Sequence, residues 1–418
     1  MRRREAAGRG RGGERGPRAR GPVPWQEARA AARWLGGRAG AAVPSREPLA
    51  GALGATLAED LLALVGIPSY DAAAMDGYAV AGAGPWAVVG RVLAGEGPSA
   101  PLGSGQAVEI ATGAVVPEGT LAVLPYEAAH RGGGTVAGEV QPGRHVRRCG
   151  EDTEAGAAVL AAGTVVTPTV LGLAASLGHD ALTVRRPRVT VLVTGDEVTA
   201  SGVPGPGVVR DAIGPMLPGL AAWAGARVDR IDRAADSAAE LVAALDAAVS
   251  RPETGVVVVC GASSRGPADH LRAALDELTA TVLVDSVACR PGHPQLLAHT
   301  GRPERPGTVI AGLPGNPNAA LVAGLTLLVP LLAALAGRPD PAAGGPGAPR
   351  RIPLDGGVRP HAVDTRLVPV RVGADGRRAE PVGHDRPGTL RGAAGADAFA
   401  VIPPGWAGPD AELLWLPR

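Results

Sequence analysis

The stretch that decides the fold is Gly312-Leu-Pro-Gly-Asn-Pro-Asn-Ala-Ala-Leu321. An apolar run at 308–311 precedes it, and a longer apolar run begins at Ala319. Glycine permits backbone turns that other residues resist, whereas proline fixes φ. The pattern therefore predicts a strand, a stiff corner and a helix. The corner is either an ordinary tight turn or a phosphate-facing bend, because helix N-termini present backbone N–H groups that hold anions.

The same rhythm recurs across residues 187–338. The runs RVTVLVTG (188–195) and GVVVVCG (255–261) are apolar and end in glycine. The runs SAAELVAALDAAVS (237–250) and ADHLRAALDEL (268–278), each of which follows one of these apolar runs, have helical spacing. Strands that alternate with helices indicate parallel βαβ units with helices on both faces of the sheet. We therefore predict a doubly wound α/β domain over 187–338.

The remainder of the chain divides by composition. Residues 1–21 contain eight Arg and many Gly, which is typical of a disordered basic tail. The run PWQEARAAARWL, which begins at Pro24, predicts a helix with Trp25, Ala28, Ala32 and Leu35 on one stripe. Short strand-like runs fill 56–150 and predict a small β-rich domain. Short strands after a Pro/Gly-rich linker predict a β-barrel or sandwich over 345–418.

Composition excludes several classes of protein. The 418 residues carry a net charge of +1 and only 2% aromatics, which gives no support for a nucleic-acid surface. The three cysteines form no CxxC pair, so a disulfide framework or structural zinc is not expected and a reducing cytoplasm fits. No apolar run reaches 18 residues without Gly, Pro or charge, so we expect no membrane span.

Three strand ends in the predicted sheet carry unusual residues. They are VTGDEV (193–198), CGASSRGPAD (260–269) and GLPGNP (312–317). Ligands of open parallel sheets bind outside the carboxyl ends of the strands, so these segments predict a binding site. Asp269 is either a site carboxylate or a helix cap. Asp196 and Glu197 are either exposed charges or ligands of Mg²⁺, which prefers carboxylate oxygens.

Further carboxylates lie outside this domain. Asp71 and Asp76 flank an alanine run in PSYDAAAMDGYAV (68–80). In RRCGEDTEAG (147–156), Asp152 stands close to two arginines. Carboxylates contributed by separate segments suit either a metal site or acid/base chemistry.

Six segments together resemble one known family. They are AAAMDGYAV (72–80), TGAVVPEG (112–119), RRCGEDTEAGAAVLAAGT (147–164), VTGDEV (193–198), RPGHP (290–294) and GLPGNPNAALV (312–322). In order and spacing they resemble the molybdopterin molybdenumtransferase family, which comprises the MoeA proteins and the E domain of gephyrin. The resemblance extends from about Pro24 to the C-terminus.

This resemblance implies an architecture and an activity. It implies a linker domain built from 22–55 and 151–186, a lid-like β-rich domain at 56–150, a molybdopterin-binding α/β domain at 187–338 and a C-terminal β-barrel-like domain at 345–418. It implies a homodimer with the site between subunits and molybdopterin adenylyltransferase as a possible upstream partner. It also implies insertion of molybdate into adenylylated molybdopterin with Mg²⁺ and release of AMP, in the cytoplasm, without nucleic acid or membrane.

The resemblance also assigns roles to residues. The catalytic residues it implies are Asp76, Asp152, Asp269 and Arg290. The metal ligands it implies are Glu197, Asp211 and Asp269. The residues it implies for cofactor binding are Thr194, Gly195, Gly261, Ser263, Ser264, Gly266, Pro291, Gly292, His293, Gly312, Pro314, Gly315, Asn316 and Pro317.

This chain departs from the family pattern in its anion-binding residues. Where the family has Pro-Gly-Lys-Pro this chain has His293, and a lysine further upstream is replaced by Ser286. The family's Thr-Asn pair is replaced by Ala212 and Ile213, and an Asp before the helix near Ser237 is replaced by Ala. The cations left for anhydride binding are Arg147, Arg148, Arg265 and Arg290. The alternative function is therefore a non-catalytic molybdopterin-binding carrier or scaffold.

Overall fold

The structure is a computed structural model that describes residues 21–39, 43–264, 266, 269–302, 305–345, 347–349 and 351–417. The basic tail, apart from Gly21, and the candidate cation Arg265 therefore lie outside the described residues. The described residues form two compact units. The smaller unit is Arg46–Leu53 with Leu57–Thr183, and the larger unit contains the remaining described residues.

Most of the secondary-structure elements are short strands or short helices. The strands are β1 Val23–Pro24, β2 Ser45–Pro48, β3 Thr56–Leu57, β4 Leu61–Leu62, β5 Ala72–Ala73, β6 Gly77–Val80, β7 Trp86–Val92, β8 Gln106–Ile110, β9 Ala122–Pro125, β10 His130–Gly132, β11 Thr135–Ala137, β12 Val146–Arg147, β13 Ala158–Leu160, β14 Ala181–Arg185, β15 Arg188–Thr194, β16 Val198–Thr199, β17 Val209–Arg210, β18 Arg227–Ala234, β19 Val256–Cys260, β20 Thr281–Val284, β21 Val287–Arg290, β22 Leu296–Arg302, β23 Arg305–Leu313, β24 Arg351–Pro353, β25 Thr365–Val372, β26 Ala379–Pro381, β27 Ala398–Ile402 and β28 Asp410–Trp415. The α-helices are α1 Trp25–Arg38, α2 Leu49–Ala52, α3 Pro168–Ser176, α4 Leu217–Trp223, α5 Ala238–Val249, α6 Leu271–Glu277, α7 Pro317–Ala323, α8 Val329–Leu335 and α9 Arg391–Ala394.

The predicted doubly wound sheet lies in the larger unit. Its strand order is β18-β15-β19-β23-β22-β20. Strand β15 runs parallel to both β18 and β19, and β19 runs parallel to β23. Strand β22 runs antiparallel to both of its neighbours, β23 and β20. It forms a hairpin with β23, and no helix lies between these two strands. The prediction of the α/β fold is confirmed, and the antiparallel hairpin is the feature that alternation alone did not indicate.

Helices cover both faces of this sheet. Helices α1 and α4 and the long helix that starts at Pro317 pack on one face, and α5 and α6 pack on the other. The predicted stripe of α1, which is Trp25, Ala28, Ala32 and Leu35, is buried in the first of these two cores. Helix α1 packs mainly against α8. The linker domain of 22–55 and 151–186 and the other domain boundaries remain predictions.

The C-terminal segment forms a second sheet in the larger unit. Its order is β1-β21-β25-β27-β28-β24, and β26 pairs with β25. Apolar residues of β25, β27 and β28, such as Phe399, are buried between this sheet and its neighbours. The short helix α9 interrupts what the sequence predicted as strands only.

The smaller unit consists mainly of short strands, as its sequence predicted. A six-stranded sheet has the order β10-β11-β7-β8-β6-β9, and β12 pairs with β5. Its core contains Tyr78, Trp86 and Ile110. Helix α3 begins after Thr167, whose hydroxyl accepts a hydrogen bond from the Val170 N–H and so caps the helix.

One helical run among the described residues, Pro317–Leu335, is long and apolar enough to cross a membrane. Its apolar window is 94% buried inside the protein. The run is therefore a core helix of the α/β domain, and it gives no clear membrane span.

Candidate functional site

A cavity of about 630 Å³ lies at the carboxyl ends of three parallel strands in the larger unit. Thr194 ends β15 and Gly195 follows it, Cys260 ends β19 and Gly261 follows it, and the corner after β23 contributes Gly315. Strands β18 and β19 lie on opposite sides of β15, and the chain passes from β15 first to β18 and then to β19. The cavity therefore lies at a topological switch point, where open α/β sheets bind their ligands.

Nine of the sequence-predicted site residues line this cavity. They are Thr194, Gly195, Glu197, Asp211, Gly261, Asp269, Gly315, Asn316 and Pro317. The apolar part of the wall includes Val193, Ile213 and Cys260. Burial raises the pKa of the Cys260 thiol, which keeps it neutral and suits packing better than nucleophilic attack.

The charged side chains of the cavity are mostly acidic. Among the described lining residues, Glu197, Asp211, Asp236 and Asp269 are carboxylates, and Arg210 is the cation. A phosphate anhydride entering this cavity meets more negative than positive charge. A divalent cation between the carboxylates and the phosphate oxygens would offset this charge.

Asp269 organises the Gly-Ser loop that follows β19. Its Oδ1 accepts a hydrogen bond from the Ser264 N–H at 3.0 Å, and its Oδ2 accepts one from the Gly266 N–H at 2.7 Å. Helix α6 begins two residues later, with no side-chain cap on its first turn. Asp269 is therefore not the cap of α6. Its carboxylate instead accepts hydrogen bonds from N–H groups that precede it in the same loop.

Asp211 and Gly261 fix the backbone on two sides of the cavity. Asp211 Oδ1 accepts hydrogen bonds from the Ile213 and Gly214 N–H groups at 3.0 and 2.9 Å, which starts the following helical turn. Gly261 has φ of +91°, in the left-handed region that favours glycine. A Cβ at Gly261 would lie 2.6 Å from Thr194 Oγ1, so glycine is also needed here for space.

Asp236 is a cavity residue that the sequence reasoning missed. It stands immediately before Ser237, the N-cap of α5, so the acidic position near that helix is filled and the expectation of alanine there was wrong. Asp236 and Asp196 each accept a hydrogen bond from the other's backbone N–H, at 3.2 and 3.3 Å. The parallel pairing of β18 with β15 brings the two strand ends, and with them Asp196 and Asp236, to one edge of the sheet.

Other predicted site residues lie outside the cavity lining. They are Ser263, Ser264, Gly266, Arg290, Pro291, Gly292, His293, Gly312 and Pro314. Ser263 Oγ donates to the Pro294 carbonyl at 2.7 Å, which ties the Gly-Ser loop to the RPGHP turn. Arg290 Nε donates to Asp364 Oδ2 at 2.7 Å. Arg272, which the sequence reasoning did not single out, donates to the Ser263 carbonyl and braces the same loop.

The amides at the start of α7 are already bonded within the protein. The Asn318 and Ala319 N–H groups both donate to the Pro387 carbonyl, at 2.9 and 3.3 Å. The Asn318 side-chain amide donates to the Arg386 carbonyl at 3.0 Å. An anion would have to displace Pro387 to reach these amides, so the phosphate-facing bend remains a prediction.

The predicted carboxylates of the smaller unit each have local partners. Asp152 pairs with Arg147, and Asp71 pairs with Arg148 at 2.5 Å. Both arginines are therefore engaged by carboxylates of their own unit, which weakens the expectation that they bind an anhydride. Asp76 Oδ1 accepts hydrogen bonds from the Thr112 N–H at 2.7 Å and the Thr112 hydroxyl at 2.9 Å.

The contacts of Asp76 give a first testable prediction. The Thr112 N–H, followed by its hydroxyl, holds the pKa of Asp76 below its ordinary value. These contacts stabilise the fold at pH values above the pKa of Asp76 in the unfolded chain. The stabilisation is lost as the pH falls through the lower pKa that Asp76 has in the folded protein. We expect Thr112→Val, which removes only the hydroxyl donor, to raise the Asp76 pKa in a carboxyl-carbon NMR titration.

Thr120→Val is the matched control for this titration, because the Thr120 hydroxyl donates to the Pro117 carbonyl instead. We expect it to leave the Asp76 titration unchanged. An unchanged Asp76 pKa in Thr112→Val would contradict the role given to the hydroxyl.

The residues of the cavity fit Mg²⁺ only in a site that the substrate completes. Within the described part of the chain, no three His, Cys, Asp or Glu side chains are grouped closely enough to hold a metal ion. Mg²⁺ in phosphate-binding sites usually takes one or two carboxylates and completes its shell with water and phosphate oxygens. Glu197, Asp211 and Asp269 supply oxygen donors of this kind around one cavity.

Three family models match the chain in order. Residues 23–178 match the MoeA N-terminal region (domain I and II), residues 190–334 match a probable molybdopterin binding domain, and residues 351–411 match the MoeA C-terminal region (domain IV). The fold and its cavity thus define a multidomain protein of the MoeA type, built on a doubly wound α/β domain.

Individual relatives narrow the class to a family. Molybdopterin molybdenumtransferase 2 of Mycobacterium tuberculosis H37Rv is 37% identical over 317 residues, which are 71% of this chain and 76% of that protein. The Bacillus subtilis molybdopterin molybdenumtransferase is 29% identical over 84% of each chain. A crystal structure of the Pyrococcus horikoshii MoeA protein is 28% identical with a TM-score of 0.72, covering 95% of this chain and 100% of that one. The chain belongs to the molybdopterin molybdenumtransferase family.

Proposed function

We propose that this protein inserts molybdate into adenylylated molybdopterin and releases AMP, as a step of molybdenum cofactor biosynthesis. The observation that carries the proposal is the acidic, glycine-lined cavity at the switch point, within a chain of this family. Attack by water at either phosphorus of the anhydride, or by a molybdate oxygen at the molybdopterin phosphorus, would form one new P–O bond while the bridging P–O bond breaks, and AMP would leave.

The residues of the cavity divide this work among them. Glu197, Asp211 and Asp269 would hold Mg²⁺, which would neutralise charge on the anhydride oxygens when bound. The glycines at 195, 261 and 315 would let the substrate approach the backbone closely. We also propose that Asp76, Asp152 and Arg290 are catalytic residues. The same proposal includes a homodimer, an upstream molybdopterin adenylyltransferase and a cytoplasmic location.

No observation on the described residues favours the non-catalytic carrier. A carrier needs affinity for molybdopterin, whereas this cavity also retains the carboxylates that a metal-assisted transfer would use. Arg210 also lines the cavity and supplies a cation there, although it does not stand at a position where the family has lysine.

Two assays test the proposal together. We expect the purified protein, given adenylylated molybdopterin and molybdate, to release AMP, and the gene to restore molybdoenzyme activity in a strain that lacks its own transferase. Binding of the adenylylated precursor without AMP release or rescue would instead establish the carrier function. Light scattering of the same sample tests the homodimer.

Metal removal gives a second testable prediction. Because the cavity is acidic, we expect chelation by EDTA to reduce AMP release by about 100-fold or more, and added Mg²⁺ to restore it. Calcium–EDTA, which leaves the chelator saturated, is the matched control. Full activity in free EDTA would refute a role for a divalent cation.

A further inference from the structure

The core helix that begins at the cavity contains a π-helical turn. It starts as α7, passes through the π-turn at Gly324–Leu328 and continues as α8. A π-turn holds one more residue than an α-turn, and such bulges are frequent at functional sites. Each extra residue rotates the preceding segment by about 100° relative to an uninterrupted α-helix. The π-turn therefore determines which face α7 presents.

Two side chains of α1 bond directly to this π-turn. Trp25 Nε1 donates to Thr326 Oγ1 at 3.0 Å, and that hydroxyl donates to the Val322 carbonyl at 2.7 Å. Arg29 Nη1 donates to the Leu325 carbonyl. Trp25 and Arg29 are four residues apart and therefore share one face of α1. Together they supply polar partners where the π-turn departs from regular α-helical bonding.

Arg29 is an unusual residue for this position. It is only 5% exposed, pairs with Asp340 and lies 5.2 Å from the centre of the Trp25 ring. A buried ion pair often adds no stability over well-packed apolar side chains, because desolvation of the charges is costly. Its value here lies in placing a donor at the Leu325 carbonyl, which an apolar residue cannot do.

The braced helix leads directly to the functional cavity. Its first residue, Pro317, lines the cavity together with Gly315 and Asn316. Leu325 is eight residues further along, about 12 Å at the rise of an α-helix. Helix α8 is fixed against α1, so a change in the π-turn would be transmitted to α7 and to the corner at 315–317.

We propose that Trp25 and Arg29 are positioning residues of the site, which hold the π-turn and thereby set the rotation of α7 and the place of the corner in the cavity. The catalytic readout of this inference rests on the proposed function. Its second readout, backbone exchange at the corner, does not depend on any substrate.

The test uses two variants with matched controls on the same helix. Arg29→Met removes the donor to Leu325, and Trp25→Phe removes the indole N–H that reaches Thr326. Arg33→Met is the control for Arg29, because Arg33 reaches the same Asp340 at 4.0 Å from a side chain that is 48% exposed. Trp34→Phe is the control for Trp25, because Trp34 is 49% exposed on α1.

We expect Arg29→Met and Trp25→Phe, but neither control, to speed amide hydrogen exchange at 312–323 by about 10-fold. The measurement is made at a temperature where near-ultraviolet circular dichroism shows a folded protein. We also expect KM for the adenylylated substrate to rise by about 10-fold with a smaller change in kcat, since a displaced corner weakens binding. Arg29→Lys, which restores a donor, should recover part of both effects.

Unchanged exchange and unchanged KM in folded Arg29→Met would overturn the inference and leave Arg29 a packing residue. If Arg29→Met fails to fold, the same two measurements on Trp25→Phe decide, because that variant keeps the buried ion pair. If the wild-type protein releases no AMP, the proposed function fails, and exchange at the corner still supports or refutes the brace.

Discussion

Replacing Asp269 with asparagine is expected to lower kcat/KM for AMP release by about 100-fold, which corresponds to ~2.7 kcal/mol of transition-state stabilisation. Both carboxylate oxygens of Asp269 accept backbone N–H groups of the Gly-Ser loop. An asparagine side chain keeps one acceptor but turns an NH₂ group toward the other N–H, so one of the two bonds is lost. The substitution also removes a negative charge from the cavity that would hold Mg²⁺.

The fold itself should survive this change, because Asp269 lies in a surface loop and not in either core of the α/β domain. Asp246→Asn is the matched control, since Asp246 is exposed on α5 and lies outside the cavity lining. We expect it to retain wild-type kcat/KM. Activity of Asp269→Asn within twofold of wild type, measured on protein with an unchanged melting temperature, would remove Asp269 from the site.

The sequence predicted the sheet well because its central strands are buried on both faces. The four consecutive valines of β19 and the apolar run of β15 are typical of strands that are buried on both faces. The stripe of α1 was equally clear, because a period of 3.6 residues marks one buried face. The β22–β23 hairpin was missed, because a buried antiparallel strand has the same apolar composition as a parallel one.

The polar details of the site were harder to predict, because they depend on contacts between distant segments. Arg29 lies four residues after Trp25 and therefore beside the buried stripe of α1, but the local pattern does not reveal its partner, the Leu325 carbonyl, which is 296 positions away. The Pro387 carbonyl at the start of α7 comes from the C-terminal segment. Glycine and acidic residues at the strand ends allowed the cavity to be predicted from the sequence. Their hydrogen-bond partners could be identified only in the folded structure.

Replacing Gly261 with alanine is expected to destabilise the protein by roughly 3 kcal/mol. Its φ of +91° is strained for any residue with a Cβ. That Cβ would also lie 2.6 Å from Thr194 Oγ1, which now donates to the Cys260 carbonyl at 3.0 Å. The end of β15 and the end of β19 would therefore be pushed apart where they form the cavity. Chemical denaturation of Gly261→Ala and the wild type measures the difference.

Gly315→Ala is the matched control for this substitution, because its Cβ would meet nothing nearer than Gly261 Cα at 3.9 Å. We expect its stability to stay within about 0.5 kcal/mol of wild type. Adding Thr194→Ala to Gly261→Ala separates the two causes, since it removes the clashing hydroxyl and leaves the strained φ. Partial recovery is expected in the double variant relative to the sum of the single changes. A Gly261→Ala protein as stable as Gly315→Ala would mean that the ends of β15 and β19 are not in close contact.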